Sequence, residues 1–373
     1  MKKIAFLSGT RADFGKLKSL IQAVQNDAEF EYGIFATGMH LLEKYGMTVI
    51  EIEKAGLTNI HRFENHTSEA TMDLTLAKTI EGFSAYVKEF KPDLIVVHGD
   101  RVEALAGAIV GSLNNVLVGH IEGGELSGTV DELIRHSVSK LSHIHFVSNK
   151  TAARRLVQMG ELESSIFTIG SADLDVLFSS ELPTLETVKT YYDISFDKYA
   201  VVLYHPVTTD FSNTKLNAKQ FVNSLLQDDS KYIVIFPNND LGSTEILEEY
   251  DKLKDNPRFR IFPSLRFEYF ITLLKNAKFL IGNSSAGIHE APYLGLPTIN
   301  IGRRQENRDL HTDTIIHVPN SLNAILNGIE TAKNLQINPK KRKSTQKAAT
   351  LFLQTLHSEE IWKIDQQKQF RDI

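Results

Sequence analysis

"LAKTIEGFSAYVKEFKPDLIVVHGD", Leu76–Asp100, is the stretch whose reading decides the fold. Its first part sets Leu76, Ile80, Phe83, Val87 and Phe90 at spacings of four and three, a single apolar stripe on a helix. Pro92 has no N–H and disfavours helical backbone in the residue before it, so the helix is expected to stop there. "LIVV" follows as an unbroken apolar run, the pattern of a strand covered on both faces. A helix feeding a doubly buried strand is the repeating unit of a parallel α/β sheet, and this strand ends in the polar group "HGD".

The same alternation runs outward in both directions. Strands are expected at Ile4–Leu7, Tyr32–Ala36, Leu94–Val97, Val116–His120, Ile144–Val147 and Ile166–Ile169. After an irregular crossover, roughly 173–198, they resume at Ala200–Leu203, Ile233–Phe236, Arg260–Phe262, Phe279–Ile281, Thr298–Ile301 and Ile315–Val318. The expected organisation is therefore two α/β domains, 1–172 and 173–373, with a lysine-rich, then helical tail packing back on the first. A length of 373 residues and an apolar fraction of 42% suit two such cores.

Composition narrows the chemistry. A net charge of -5 gives no general attraction to nucleic acid or to anionic membranes. With no cysteine there are no disulfides and no thiolate metal sites. The N-terminal apolar run is too short for a signal peptide, and no run reaches a membrane span, so a soluble, cytoplasmic protein is expected.

Ligands of open parallel sheets sit beyond the carboxyl ends of strands, and with two such domains the cleft between them is the expected site. Polar signals fall at those ends: "SGTRADFG", "HGDR", "HIEGGE", "YHPVTTD", "FPNND" and "IGNSSAGIHE". "SGTRADFG" matches neither the dinucleotide nor the P-loop fingerprint. Its amides and Arg11 are expected to hold an anion, against the plainer reading of a turn with Asp13 near a helix start. "GNSSAGIHE" offers Ser284 and Ser285 to a diphosphate and Glu290 to ribose hydroxyls, with Arg303 and Arg304 supplying charge. Its plainer reading makes a serine the helix cap.

In "HIEGGELSGTVDELIRH", Thr129 and Glu132 match a capping box, which gives Glu132 a structural reading. Asp131 lies in the first helical turn, where the macrodipole favours its charged form. Glu122 ends an apolar strand before Gly123-Gly124, a backbone expected to let a ligand come close, and its desolvation is expected to raise its pKa. Asp100 takes the matching place on the neighbouring strand. With His205, these acids read as a proton-transfer set, against a salt-bridge network with Arg101 and Arg135. His143 and His145 have no third ligand at evident spacing, so ordinary hydrogen bonds are expected and no metal. His40 follows a strand and either points into the cleft or starts a helix.

Taken together, "SGTRADFGKL", "HGDRVEAL", "HIEGGELSGTVDELIRH", "HPVTTD", "IGNSSAGIHE" and "INIGRRQ" resemble the hydrolysing UDP-N-acetylglucosamine 2-epimerases, over nearly the whole of Lys3–Arg308. These bacterial sialic-acid pathway enzymes are also similar to the epimerase half of the human bifunctional enzyme. The resemblance implies two Rossmann-like domains in the GT-B arrangement, with UDP held mainly by the second. It implies Asp100, Glu122 and Asp131 as catalytic carboxylates and His205 as a catalytic-site histidine. Arg11, Arg101, Asn238, Ser284, Ser285, Glu290 and Arg304 match UDP-contacting positions, and His40 a substrate-side histidine. No cofactor is implied, and relatives are commonly homodimers or homotetramers.

The implied reaction is the first step of sialic-acid biosynthesis, elimination of UDP to a 2-acetamidoglycal and then hydration to N-acetylmannosamine. Removing an unactivated C2 proton becomes feasible as UDP departs from C1, and both steps move protons, which accounts for several acids in one place. Three rivals remain. One is the same chemistry on UDP-2,4-diacetamido-2,4,6-trideoxyglucose in legionaminic-acid biosynthesis. The others are a UDP-GlcNAc-using glycosyltransferase and a UDP-sugar sensor.

Overall fold

In the computed structural model, which describes residues 1–66, 71–306, 308, 313–341 and 346–370, Leu76–Asp100 is a helix and a strand. The helix runs Met72–Phe90 and ends with Lys91 in left-handed backbone, φ 54°, just before Pro92. Its buried face is turned slightly from the expected stripe. Thr79, Gly82, Phe83, Tyr86 and Val87 are interior, while Leu76, Ile80 and Phe90 are half-buried.

The chain divides into two compact units. The first comprises Met1–Glu125, Asp131–Asp175 and Ser344–Ile373; the second comprises Leu126–Val130 and Val176–Lys343. The first unit holds β1 (Lys2–Ser8), β2 (Phe30–Ala36), β3 (Ile60–Arg62), β4 (Leu94–His98), β5 (Leu117–Ile121), β6 (Ile144–Val147) and β7 (Ile166–Thr168). They form one sheet in the order β3-β2-β1-β4-β5-β6-β7, with every pairing parallel. The order reverses between β1 and β4. Beyond the carboxyl ends of strands at such a reversal the crossing helices diverge and leave room for a ligand.

The second unit holds β8 (Ala200–Leu203), β9 (Tyr232–Ile235), β10 (Phe259–Phe262), β11 (Leu280–Gly282), β12 (Thr298–Ile301) and β13 (Ile315–Val318). Their order is β10-β9-β8-β11-β12-β13, again wholly parallel, with the reversal between β8 and β11. The inner strands of both sheets bury nearly every side chain, which is why they read as continuous apolar runs rather than alternating ones.

β3 was not among the expected strands. It has three residues at a sheet edge, only one of them apolar, so no apolar run announces it. The stretch expected to be an irregular crossover contains two short helices, Ala172–Leu177 and Leu185–Tyr191. Residues 173–175, assigned to the second domain by the sequence reading, belong to the first unit. Two contacts hold them there. Lys16 Nζ lies 3.1 Å from Asp173, and the Asp175 carboxylate accepts the Ala348 N–H at 2.6 Å.

That second bond caps the helix Ala348–His357, whose Phe352 is fully buried against Phe6 and Phe146, with ring centroids 6.4 and 4.8 Å away. Burial of such a ring contributes about 1.5–3 kcal/mol. Further along, Trp362 stacks on Phe30, and Lys368 donates to the buried Glu161 at 2.5 Å. Part of the lysine-rich stretch 340–347 lies outside the described residues. No helix among the described residues is long and apolar enough to cross a membrane.

Candidate active site

Beside the reversal point of the first sheet, the ends of β4 and β5 carry Asp100 and Glu122. Each is the second residue past the last of β4 or the first past β5, neighbouring strands in register. The turn carrying Asp100 is stapled from below by His120, which is fully buried. Its Nε2 lies 2.8 Å from the Gly99 carbonyl, which only accepts, so Nε2 carries the proton and Nδ1 accepts from Ser139 Oγ at 3.0 Å. Burial, first of all, pushes the His120 pKa down to about 3, so the ring stays neutral.

Arg135 ties the two acids. One guanidinium nitrogen donates to the Asp100 carboxylate and the other to the Glu122 carbonyl at 2.6 Å. Burial works against the Arg135 charge, but the surrounding carboxylates of Asp100, Glu122 and Glu125 outweigh it and raise its pKa. Asp131 sits one turn before Arg135 on the same helix, Val130–Leu141. The expected network with Arg135 is therefore present. Arg101 instead turns to Glu103, at 3.3 Å. Glu132 Oε1 is 3.3 Å from His136 Nε2, a side-chain contact one turn along its own helix.

Glu122 itself has φ 64°, a left-handed conformation that costs a non-glycine residue on the order of 1–3 kcal/mol. Both its peptide groups are pinned, the N–H to the Phe146 carbonyl at 3.0 Å and the carbonyl by Arg135. The strain aims the side chain into a cluster the sequence reading did not foresee. Lys16 Nζ is 3.1 and 3.2 Å from the two carboxylate oxygens, and His98 Nε2 is 3.2 Å from one of them. Burial was expected; the cation beside it was not. Nor are the two glycines open backbone for a ligand. A Cβ at Gly124 would lie 2.3 Å from the Ala152 carbonyl, so that position is spent on packing.

The turn after β1 differs from expectation. Asp13 accepts from the Gly9 and Thr10 amides at 2.9 and 3.0 Å, and Thr10 Oγ1 accepts from the Asp13 N–H, a complete capping box. Those amides are occupied by a carboxylate, so the anion-holding reading of this backbone is withdrawn. Arg11, the first residue of that helix, remains partly exposed. His40 is fully buried, with Ser8 Oγ and Thr48 Oγ1 each 2.9 Å from its ring nitrogens. Burial lowers its pKa to about 4. It supports the turn from inside, and its reading as a group facing substrate is corrected. His143 and His145 are likewise structural: His143 Nδ1 accepts the Val118 N–H, and His145 Nε2 meets Glu161 at 3.0 Å.

In the second unit the reversal point gathers His205, just beyond β8, and the turn after β11. Asn283, absent from the sequence reading, organises both. Its side chain accepts the His205 N–H at 2.7 Å and donates to the His205 carbonyl at 2.8 Å. Its own carbonyl receives Arg304 at 3.2 Å and Gln305 at 2.7 Å. Gly282 makes this approach possible: its φ is 144°, and a Cβ there would lie 2.1 Å from the Leu203 carbonyl. The Asn238 N–H donates to His205 Nδ1 at 3.1 Å, so the neutral ring presents Nε2–H as a donor.

Ser284 Oγ accepts the Ala286 N–H at 3.2 Å from one residue before the N-cap, which is Ser285 and makes no side-chain cap bond. Ser285 begins the helix Ala286–His289, and Glu290, which is buried, separates it from Ala291–Leu294. Asn238 Oδ1 and Gln305 Oε1 are buried acceptors with no hydrogen-bond partner among the described residues. Buried acceptors in that condition cost about 1–3 kcal/mol each unless a donor arrives, so the site favours a ligand rich in N–H and O–H groups.

The family model for UDP-N-acetylglucosamine 2-epimerase matches residues 22–364. Over its full length the chain is 45% identical to the UDP-N-acetylglucosamine 2-epimerase of Neisseria meningitidis serogroup B, all of which is covered. It is 34% identical to the UDP-N,N'-diacetylbacillosamine 2-epimerase (hydrolyzing) of Legionella pneumophila, over 90% of this chain and 89% of that one. The crystal structure of Methanocaldococcus jannaschii UDP-GlcNAc 2-epimerase with UDP-GlcNAc and UDP superposes with a TM-score of 0.81. It covers 95% of this chain and 99% of that one at 24% identity, a likeness of fold. This chain belongs to the UDP-N-acetylglucosamine 2-epimerase family.

Proposed function

We propose that this enzyme is a hydrolysing 2-epimerase, converting UDP-N-acetylglucosamine to UDP and N-acetylmannosamine. The observation that carries the proposal is the pair Asp100 and Glu122 at adjacent strand ends, tied by Arg135 on the helix that bears Asp131. A sensor or a glycosyltransferase has no use for two acids set at adjacent strand ends and tied through one arginine. The full-length likeness to the Neisseria enzyme supports the substrate, and the Legionella relative's name supports hydrolysis.

In this reading the turn after β11 and Arg304 take the diphosphate, with Asn238 and Glu290 serving the rest of the nucleotide. Arg11 and Arg101 match further UDP-contacting positions of the family motifs. His205 Nε2–H donates to the departing UDP. As the C1–O bond breaks, positive character on the sugar is stabilised by the carboxylates, and one of them takes the C2 proton. The resulting 2-acetamidoglycal adds water at C1 and a proton at the opposite face of C2, which gives the free sugar with C2 inverted.

Asn283→Ala should lower turnover about 10–100-fold, because the His205 peptide loses both side-chain bonds that place it. UDP affinity should persist, since Arg304 and Gln305 hang on the main-chain carbonyl of residue 283, which the substitution keeps. Calorimetric titration with UDP beside steady-state kinetics checks both halves.

The proposal itself is tested by incubating the purified protein with UDP-N-acetylglucosamine and resolving the products by chromatography. UDP and N-acetylmannosamine support it; UDP-N-acetylmannosamine places the enzyme with non-hydrolysing members. A second reading, the same reaction on UDP-N,N'-diacetylbacillosamine, is favoured by the Legionella relative. It takes over if only that sugar nucleotide is consumed.

A further inference from the structure

Asp173 lies in none of the motifs discussed above. It is in the first turn of the helix Ala172–Leu177, and its side chain is 2% exposed. Lys16 Nζ approaches its Oδ2 to 3.1 Å, and the same ammonium contacts both oxygens of Glu122. Beyond that ion contact, neither Asp173 oxygen has a hydrogen-bond partner among the described residues. One half-buried cation is thus shared by a half-buried and a buried carboxylate, at side-chain exposures of 16%, 13% and 2% for Lys16, Glu122 and Asp173.

We propose that Asp173 is a positioning residue for the reaction: it competes with Glu122 for the Lys16 ammonium, and so sets where Lys16 stands and how much negative charge the Glu122 site carries. The inference rests on the reading of Glu122 as a reacting acid. With little water around Asp173, two full negative charges on one ammonium are costly, which favours the protonated form of the deeper acid. Asp173 is the deeper of the two, and burial raises its pKa; Lys16 opposes that shift and Glu122 adds to it. With the proton on Asp173, the ammonium is left to Glu122. When Asp173 ionises, it draws Lys16 away and places a like charge beside Glu122.

The other charged groups around the pair are identified. His98 reaches Glu122 from the end of β4 at 3.2 Å, and Arg135 binds the Glu122 carbonyl. Asp175, two residues on, is engaged by the Ala348 N–H. Arg135 favours a charged Glu122, the Asp100 and Glu125 carboxylates grouped around the same guanidinium add negative charge nearby, and Asp173 is the carboxylate that shares the Lys16 ammonium with it.

The test is Asp173→Asn in the full chain, with kcat and KM followed against pH. Asparagine keeps the shape and abolishes the ionisation. Because Asp173 keeps its proton while Glu122 ionises, the acidic limb of the kcat profile is expected to stay in place, and the change in kcat at the higher pH where Asp173 ionises is expected to disappear, while KM holds. A folded-state pKa raised by burial means the fold opposes ionisation of Asp173 above its unfolded value. The variant should therefore unfold at pH 7 at the same temperature or higher.

A kcat profile unchanged over the whole pH range, with the higher-pH step retained in a folded variant, overturns the inference. If the variant does not fold, carboxyl ¹³C NMR titration of the unaltered chain reads the same coupling. Two interdependent steps for Asp173 and Glu122 support it, and independent single steps refute it. Absence of any turnover by the unaltered enzyme on either sugar nucleotide would count against the proposed reaction, whereas the NMR titration judges the Asp173–Lys16–Glu122 linkage regardless.

Discussion

Asp100→Asn is expected to lower kcat about 10²–10⁴-fold and to leave UDP binding intact. The amide has the shape of the carboxylate but can neither take a proton nor stabilise positive charge on the sugar. The fold should survive, because Arg135 keeps the Glu122 carbonyl at 2.6 Å and an amide oxygen at position 100 still accepts. UDP binding should survive because the residues proposed to hold it are chiefly those around Asn283 and Arg304 in the second unit. Rapid-quench kinetics alongside UDP titration would check the pair of outcomes. Near-native turnover would remove Asp100 from the chemistry, and with it the main argument against a sensor.

Gly282→Ala is the most damaging single methyl group the structure identifies. The residue has φ 144°, which L side chains rarely adopt, and the new Cβ would meet Leu203 O at 2.1 Å and Leu203 C at 2.5 Å. Both are backbone atoms of the adjoining strand β8, so no side chain can swing aside. Strain and overpacking together should cost about 2–6 kcal/mol, a large part of a typical domain's stability. Denaturant unfolding should show the loss. Any folded fraction should bind UDP poorly, since forcing β8 and β11 apart separates Asn283 from His205. A variant with native stability and native UDP affinity would mean that this close approach is not what holds the turn.

The strands were legible because each inner one is buried on both faces and is therefore a run of apolar, often β-branched residues. Twelve of the thirteen described strands fall where those runs stand. β3 was not legible because its sequence, Ile-His-Arg, has a single apolar residue, whereas the equally unburied edge strands β7 and β13 still open on two adjacent apolar residues. The acids at the strand ends were legible for the same reason, as polar residues at the point where an apolar run stops.

What could not be read was partnership. Lys16 and Glu122 are 106 positions apart, and nothing in "GKLKSL" marks the first lysine rather than the second for that contact. Left-handed backbone at Glu122 is equally invisible, because it follows from how its peptide groups are bonded. His40 was misread because a histidine after a strand looks the same whether its ring nitrogens face a ligand or, as here, Ser8 and Thr48. A stronger signal was available at Asn283, which sits between Gly282 and the two serines. An amide beside a conformationally special glycine is suited to clamping a neighbouring peptide.

Proton NMR of the reaction of the purified enzyme with UDP-N-acetylglucosamine in deuterated water tests the central claim most directly. Proton abstraction at C2 coupled to loss of UDP, followed by hydration, predicts free UDP and N-acetylmannosamine bearing deuterium at C2. Release of UDP with a sugar that keeps its C2 proton, or of an intact UDP-linked epimer, would contradict the account.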